Sequence, residues 1–465
     1  MSAPLLWILV PLLAAAVLVV GRTERPVATW GALLAAALGL AGFVVPIDTP
    51  LVLGPLSLKV ADSVQVLGRS FVLRSADGPL LGLIYGSAAL WFYGAGAGPG
   101  ARRVVPLGLA IVALLVASLA VDPFLFAAPL IAIASLLAVP LCTPPGTKPG
   151  PGVLRFLTYQ TLGLPFILFA GWMLAGVEAS PSDIAMTTQA GVMLGLGFAF
   201  LLAVFPLYSW IPMLAEDAPS FVVGFIFWLL PVFSIVFALG FMDRYAWLRS
   251  APQLSQGVAA AGALMIASGG LFTAFERHLG RLMAFSAVAA TGLAVVAMSL
   301  GSAQSPQLVF LLLMPRGIEL ALWSLSLATI AARVRSLRFE DVTGMARGLP
   351  VATLGLVIAS LSMLGLPLLA GFPARLALMQ ALTRLPTGFE GLLLIGLLGV
   401  AIGTLRGIAA LVAGREVAPP QTAESGQERV LIALGVVALI VAGAFPQVWQ
   451  PILSALPRMF EHLAA

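Results

Sequence analysis

The sequence predicts an all-α polytopic membrane protein, and three observations predict it. Of 465 residues, 60% are hydrophobic and 9% charged, with a mean hydropathy of +1.07. A soluble domain carries roughly 25% charged residues, and no water-soluble core could hide so much apolar surface. The apolar residues come in runs that approach the roughly 20 residues a helix needs to cross lipid, where a helix satisfies its own backbone. The basic residues gather in the short stretches between those runs.

Fourteen runs follow in order: 4–20, 27–46, 79–97, 104–121, 123–142, 156–177, 186–206, 220–241, 257–275, 282–301, 307–332, 350–372, 388–413 and 429–448. The junction at Asp122-Pro123 is tight enough that the count runs from thirteen to fifteen. The longest polar stretch, 47–78, contains VLGRSFVLRSADG and reads as a short hairpin outside the bilayer. The stretch REVAPPQTAESGQE (415–428) reads as a disordered linker before the last span. Four parts result: an N-terminal three-helix segment with its hairpin (1–103), a first repeat (104–275), a second repeat (282–413) and a final span with its tail (429–465).

The net charge of +5 raises nucleic acid as a partner, but the basic residues are loop residues, so they read as an orientation signal instead. Odd-numbered loops carry fifteen of them and even-numbered loops with the tail carry eight. That bias puts both termini outside a bacterial cytoplasmic membrane. The one left over, Arg316, lies inside span 11. With a single cysteine, Cys142, an internal disulfide and a Cys-ligated iron–sulfur cluster are excluded. Two histidines, His278 and His462, do not suit haem or copper ligation. No basic segment precedes the first apolar run, so no cleavable signal peptide is expected.

Proline marks the architecture. It removes a backbone donor, which lipid tolerates only where protein or a wet cavity re-satisfies the backbone. Pro206, Pro212 and Pro219 follow span 7, and Pro367, Gly371 and Pro373 interrupt the end of span 12. Either these mark two broken helices in two inverted repeats, as in transporter cores, or they mark helix ends in loops.

Four stretches now carry a resemblance. FPLYSWIPMLAEDAPS (205–220), RHLGRLMAFSAVAATG (277–292), FEDVTGMARGLP (339–350) and LGLPLLAGFPARL (364–376) occur in the order and spacing of one family. The chain resembles the antiporter-like membrane subunits of respiratory complex I (NADH:quinone oxidoreductase), a family shared with Mrp-type antiporters and membrane-bound hydrogenases. Residues 1–150 match it only in hydropathy. The resemblance implies the loop of a first broken helix at 205–220, with Trp210 anchored at the interface, Glu216 in the family's acidic position and Asp217 as a solvated loop charge.

It also implies a midplane row of ionisable groups, and here the chain departs from the family. No acidic residue lies between Asp122 and Glu178, where the family has a glutamate. The lysine of the first broken helix falls on Leu201, and the lysine of the next span on Val232. The lysine of a third motif becomes Gly280, with Arg281 beside it. In the second half, an ungapped match puts the family's histidine and lysine on Pro315 and Glu319, with Arg316 one position along; shifted by one, the match puts Arg316 on the histidine instead. Arg375 stands at the lysine of the second broken helix. An arginine keeps the charge but does not deprotonate, so it relays no proton. The candidates for a proton path are therefore Glu319, Arg316 and Arg375. Either Glu319 is the protonatable carboxylate of a surviving half-channel, or it pairs with Arg316 at i, i+3 as a buried lock between spans 11 and 12. His278 and the group Thr158, Tyr159 and Gln160 read as solvated or interfacial.

The resemblance implies a subunit of a redox-driven proton-translocating complex that couples electron transfer in partner subunits to ion movement. It implies no cofactor, no metal and no redox chemistry on this chain, with other membrane-arm subunits and lipids as partners. The missing lysines imply an inactive first half-channel. The rivals are a purely structural scaffold and a stand-alone secondary transporter.

Overall fold

The computed structural model describes residues 2–53, 56–98, 100–179, 184–301, 304–382, 389–414 and 423–463. Arg384 and Arg415, counted above for orientation, lie outside these residues. Each of the fourteen apolar runs contains helix, and among the described residues ten helices are long and apolar enough to cross a membrane. Leu5–Val19 and Ala185–Leu201 are shorter apolar helices. The protein is an all-α polytopic membrane protein with small sheets outside the helices. The chain divides into two compact units.

The first unit comprises Met1–Leu141, Leu157–Leu201 and Ser454–Glu461. It holds α1 (Val10–Val19), α2 (Glu24–Val44), α3 (Gly78–Ala95), α4 (Ala101–Ala120), most of α5 (Ala127–Cys142) and α6 (Pro151–Ala179), and α7 (Ile184–Leu201). α2 packs along α3, and α1 against α4. Buried polar groups tie the first helices together: Trp7 Nε1 donates to Leu38 O at 3.0 Å, and the Tyr85 hydroxyl donates to Trp7 O. The expected single hairpin over 47–78 is two. β1 (Pro50–Leu53) pairs with β2 (Leu56–Lys59), and β3 (Ser63–Val66) pairs with β4 (Arg69–Val72). A third short strand, β5 (Val121–Asp122), adds to β4, which explains the interruption at Asp122-Pro123. The second hairpin turns through Leu67 (φ 51°) and Gly68 (φ 73°), the two positive φ values that a tight two-residue turn requires.

The second unit comprises Cys142–Phe156, Leu202–Leu453 and His462–Ala465. Its helices are α8 (Trp210–Asp217), α9 (Ser220–Arg244), α10 (Ala246–Ser250), α11 (Pro252–Phe275), α12 (Leu279–Ser299), α13 (Ser305–Ala331), α14 (Phe339–Val342), α15 (Pro350–Leu364), α16 (Gly371–Leu382), α17 (Phe389–Val412), α18 (Gly426–Ala444) and most of α19 (Gln450–Ala455). The apolar windows of α9 and α12 are both 94% buried, whereas that of α18 is 22% buried, so α9 and α12 form the core and α18 the periphery. α13 packs against α9, α12, α15 and α18, and α11 against α12 and α17. α11 and α17 touch backbone to backbone: a Cβ on Gly270 would lie 1.9 Å from Gly396 O. Small residues permit such approach where helices gain nothing from hiding apolar surface in lipid.

The helices break where the prolines stand. α7 ends at Leu201 and α8 begins at Trp210, with Pro206 in the gap, Pro212 inside α8 and Pro219 immediately before α9. α15 ends at Leu364 and α16 begins at Gly371, with Pro367 in the gap and Pro373 in the first turn of α16. Gly365 closes α15 in the left-handed conformation (φ 86°), the usual helix stop. At its other end α15 leaves the connector Phe339–Arg347 at 112°.

The expected disordered linker is corrected at its C-terminal end. Residues 415–422 lie outside the described residues, but Glu424, Ser425 and Glu428 are firmly held. Ser425 and Glu428 form a reciprocal capping box at the start of α18. Glu424 accepts from the Ala352 N–H at 2.7 Å in the first turn of α15. Arg333, just past α13, makes a two-pronged ion pair with Glu428 at 3.0 and 2.7 Å. Composition suggests disorder; orphan helix-end donors and one buried guanidinium supply the order.

Candidate functional site

The second unit brings the four motif stretches into two clusters. The outer one lies where the second and third stretches pair as short extended segments: Leu279 N–H donates to Leu337 O at 2.9 Å, and Phe339 N–H to Arg277 O at 2.9 Å. Beside them is a cavity of about 450 Å³ lined by Glu216, Glu276, His278, Arg281, Arg338 and Arg406, among others. Glu216 and Arg281, expected as loop charges, face each other at 3.8 Å, and Arg281 also meets Glu276 at 3.2 Å. These pairs are partly exposed and screened, so each is worth on the order of 0–1 kcal/mol.

His278 is half-buried rather than solvated, and it has a structural task. Its Nδ1 accepts from the Arg281 N–H at 3.4 Å, capping α12. Burial lowers its pKa below the ordinary imidazole value; Arg281 and Arg338 add to this and Glu216 opposes it. The neutral form is the one that can accept.

Three further expectations in this region are corrected. Trp210 is 3% exposed rather than interfacial, because its ring packs between Phe156 and Phe227 at centroid distances of 5.1 and 6.3 Å. Asp217 is no free loop charge: its carboxylate accepts from the Gly152 N–H at 2.6 Å, in the first turn of α6. A helix N-terminus has unpaired N–H groups and a positive dipole end, and a carboxylate answers both. Gln160, in the first unit, is 1% exposed and donates to Leu201 O at 3.4 Å, the carbonyl where α7 stops.

The inner cluster is built on the middle of α13. Arg316 is 2% exposed and Glu319 5% exposed. The expected ion pair between them is absent: among the described residues no salt bridge within 4.0 Å includes Arg316, Glu319 or Arg375. The two side chains serve different neighbours. Arg316 Nη2 donates to Phe227 O of α9 at 2.9 Å and to Ala287 O of α12 at 3.3 Å, while Nε and Nη1 have no partner. Glu319 Oε1 accepts from the Ser362 hydroxyl at 2.7 Å, and Ser362 Oγ accepts from the Gly371 N–H at 3.2 Å. Glu319 thus reads the gap between α15 and α16 through one hydroxyl. Gly371 is required there, because a Cβ would sit 2.0 Å from Ser362 O and 2.8 Å from Glu319 Oε1. Arg375 reaches back across Gly365 and donates to Met363 O, where the negative end of the α15 dipole favours a cation.

The positions expected to have lost their lysines are apolar and buried: Leu201 is 2% exposed and Val232 3%. From 220 to 242 no ionisable residue occurs in α9. Sequence reasoning missed Ser362 and the carbonyl of Phe227. The second had a signal, since Pro231 deprives the carbonyl four residues earlier of its helical donor. Ser362 had none beyond lying near a break.

Residues 164–403 match the family described as NADH:quinone oxidoreductase/Mrp antiporter, TM. Curated relatives include NADH-quinone oxidoreductase subunit N 2 of Solidesulfovibrio magneticus, 28% identical over 246 residues, which are 52% of this chain and 51% of the relative. Subunit N of Cytophaga hutchinsonii is 23% identical over 278 residues, covering 59% and 60%. The chain spans between half and three fifths of the length of these relatives. Among solved structures, a chain of the Mrp complex from Dietzia sp. superposes with a TM-score of 0.85 at 15% identity, over 100% of this chain and 99% of that one. A chain of respiratory complex I from Thermus thermophilus with bound NADH gives 0.79 at 19%, over 99% of each. At these identities the likeness is one of fold.

Proposed function

The chain belongs to the family of NADH:quinone oxidoreductase and Mrp antiporter transmembrane subunits, and from that premise we propose that it is a membrane-arm subunit of a redox-driven ion-translocating complex whose own first half-channel is inactive. Electron transfer takes place in partner subunits, and this chain carries no redox cofactor of its own. It sits in a bacterial cytoplasmic membrane with both termini outside, and 104–275 and 282–413 are its two inverted repeats. Its immediate partners are other membrane-arm subunits and lipids.

One observation carries the reading. Where proton carriage needs groups that gain and lose a proton, Leu201 and Val232 are buried and apolar, and the buried cation of α13, Arg316, is tied to two backbone carbonyls. A guanidinium stays protonated under all physiological conditions. Glu319 favours a second reading, a surviving second half-channel, because it is a buried carboxylate with no cation within 4.0 Å among the described residues. Replacing Glu319 with Gln in the reconstituted complex tests whether conduction survives in the second half. If neither half conducts, ions moved per electron stay unchanged. A sharp drop with assembly intact shows that the second half conducts.

A further inference from the structure

Pro231 sits in the interior of α9. It has no N–H, so the carbonyl four residues earlier, that of Phe227, loses its helical donor. In a core helix no water is at hand to replace it. The replacement donor comes from another helix: Arg316 Nη2 lies 2.9 Å from Phe227 O and 3.3 Å from Ala287 O on α12. Arg316 is 2% exposed, and among the described residues no carboxylate lies within 4.0 Å of it. A charge so deep persists only when it is paired, hydrated or useful. We infer that Arg316 is the donor Pro231 lacks, a positioning residue that pins α13 to the interrupted helix α9 and to α12. Pro231 and Arg316 therefore form one device: the proline opens a carbonyl and the guanidinium occupies it. One nitrogen reaches both carbonyls, and its charge does not titrate away. The inference holds whatever ion the assembly moves, so it stands or falls apart from the transport reading.

A double-mutant cycle in the assembled complex tests it. Arg316→Met, Pro231→Ala, the double variant and Arg316→Lys are compared by the rate at which Cys142, the chain's sole thiol and a buried one, is alkylated at fixed temperature, read by mass spectrometry. With Pro231 present, Arg316→Met should speed alkylation roughly tenfold; in the Pro231→Ala background, where the backbone regains an N–H at that position, the penalty should shrink to about two- to threefold. Arg316→Lys, whose ammonium burial makes easier to deprotonate than that of an exposed lysine, should come nearest the parent at low pH and fall behind it, pH for pH, as the pH rises. Equal penalties in both backgrounds, or a Lys variant whose difference from the parent ignores pH, would overturn the inference. If Pro231→Ala does not assemble, the lysine pH profile decides alone.

Discussion

Gly371→Ala tests the inner cluster most directly. The added Cβ would stand 2.0 Å from Ser362 O and 2.8 Å from Glu319 Oε1. Ordinary contact to an oxygen is above 3 Å, so the gap between α15 and α16 must open by about an ångström. The obstacle is backbone, which cannot rotate away as a side chain could. Gly371 has no positive φ, so the penalty is steric rather than conformational. Opening the gap also stretches the 3.2 Å contact from Gly371 N–H to Ser362 Oγ. Overpacking costs about 1–3 kcal/mol and a weakened buried hydrogen bond about 1 kcal/mol more, giving roughly 2–4 kcal/mol. Gly257→Ala in α11 is the control, because a Cβ there meets nothing within 4 Å and a helical Gly-to-Ala change gains up to about 1 kcal/mol. Thermal unfolding of the purified complex, followed by loss of this subunit, should separate the two variants clearly. If Gly371→Ala proves as stable as Gly257→Ala, the close approach around Ser362 is not what holds the broken helix.

The other predictions concern the ends of helices. Arg333→Ala strands the buried Glu428 carboxylate, and should cost about 3–5 kcal/mol in thermal unfolding of the complex, whereas the double change with Glu428→Gln should cost less. Asp217→Ala removes the cap of α6 and should cost about 1 kcal/mol in the same measurement, with Asp217→Asn largely restoring it; full stability of the Ala variant would return Asp217 to a solvated charge. His278 has a folded pKa below its ordinary value of 6.5, so the unfolded chain takes up a proton first as the medium is acidified. Stability from this residue is therefore full above about 6.5 and is lost as pH falls below it. A His278→Gln variant should flatten that slope in unfolding measured from pH 8 to 5.

Much of the architecture was fixed before folding. Mean hydropathy and the length of the apolar runs determined a polytopic helical protein, because lipid leaves the backbone few other choices. The prolines marked both interruptions, since a missing N–H ends a helix wherever it occurs. The absence of ionisable residues from 220 to 242 was equally local knowledge. What each charge does was not. Arg316 and Glu319 sit one helical turn apart, and spacing alone favours their pairing. Tertiary structure sends one to carbonyls on α9 and α12 and the other to Ser362, because in a buried site each polar group goes to the acceptor or donor its own neighbours leave unmet. The same holds for Asp217, Gln160 and Glu424, whose partners lie 65, 41 and 72 residues away. Sequence sets which groups need partners; only packing decides which unmet groups come within hydrogen-bonding reach.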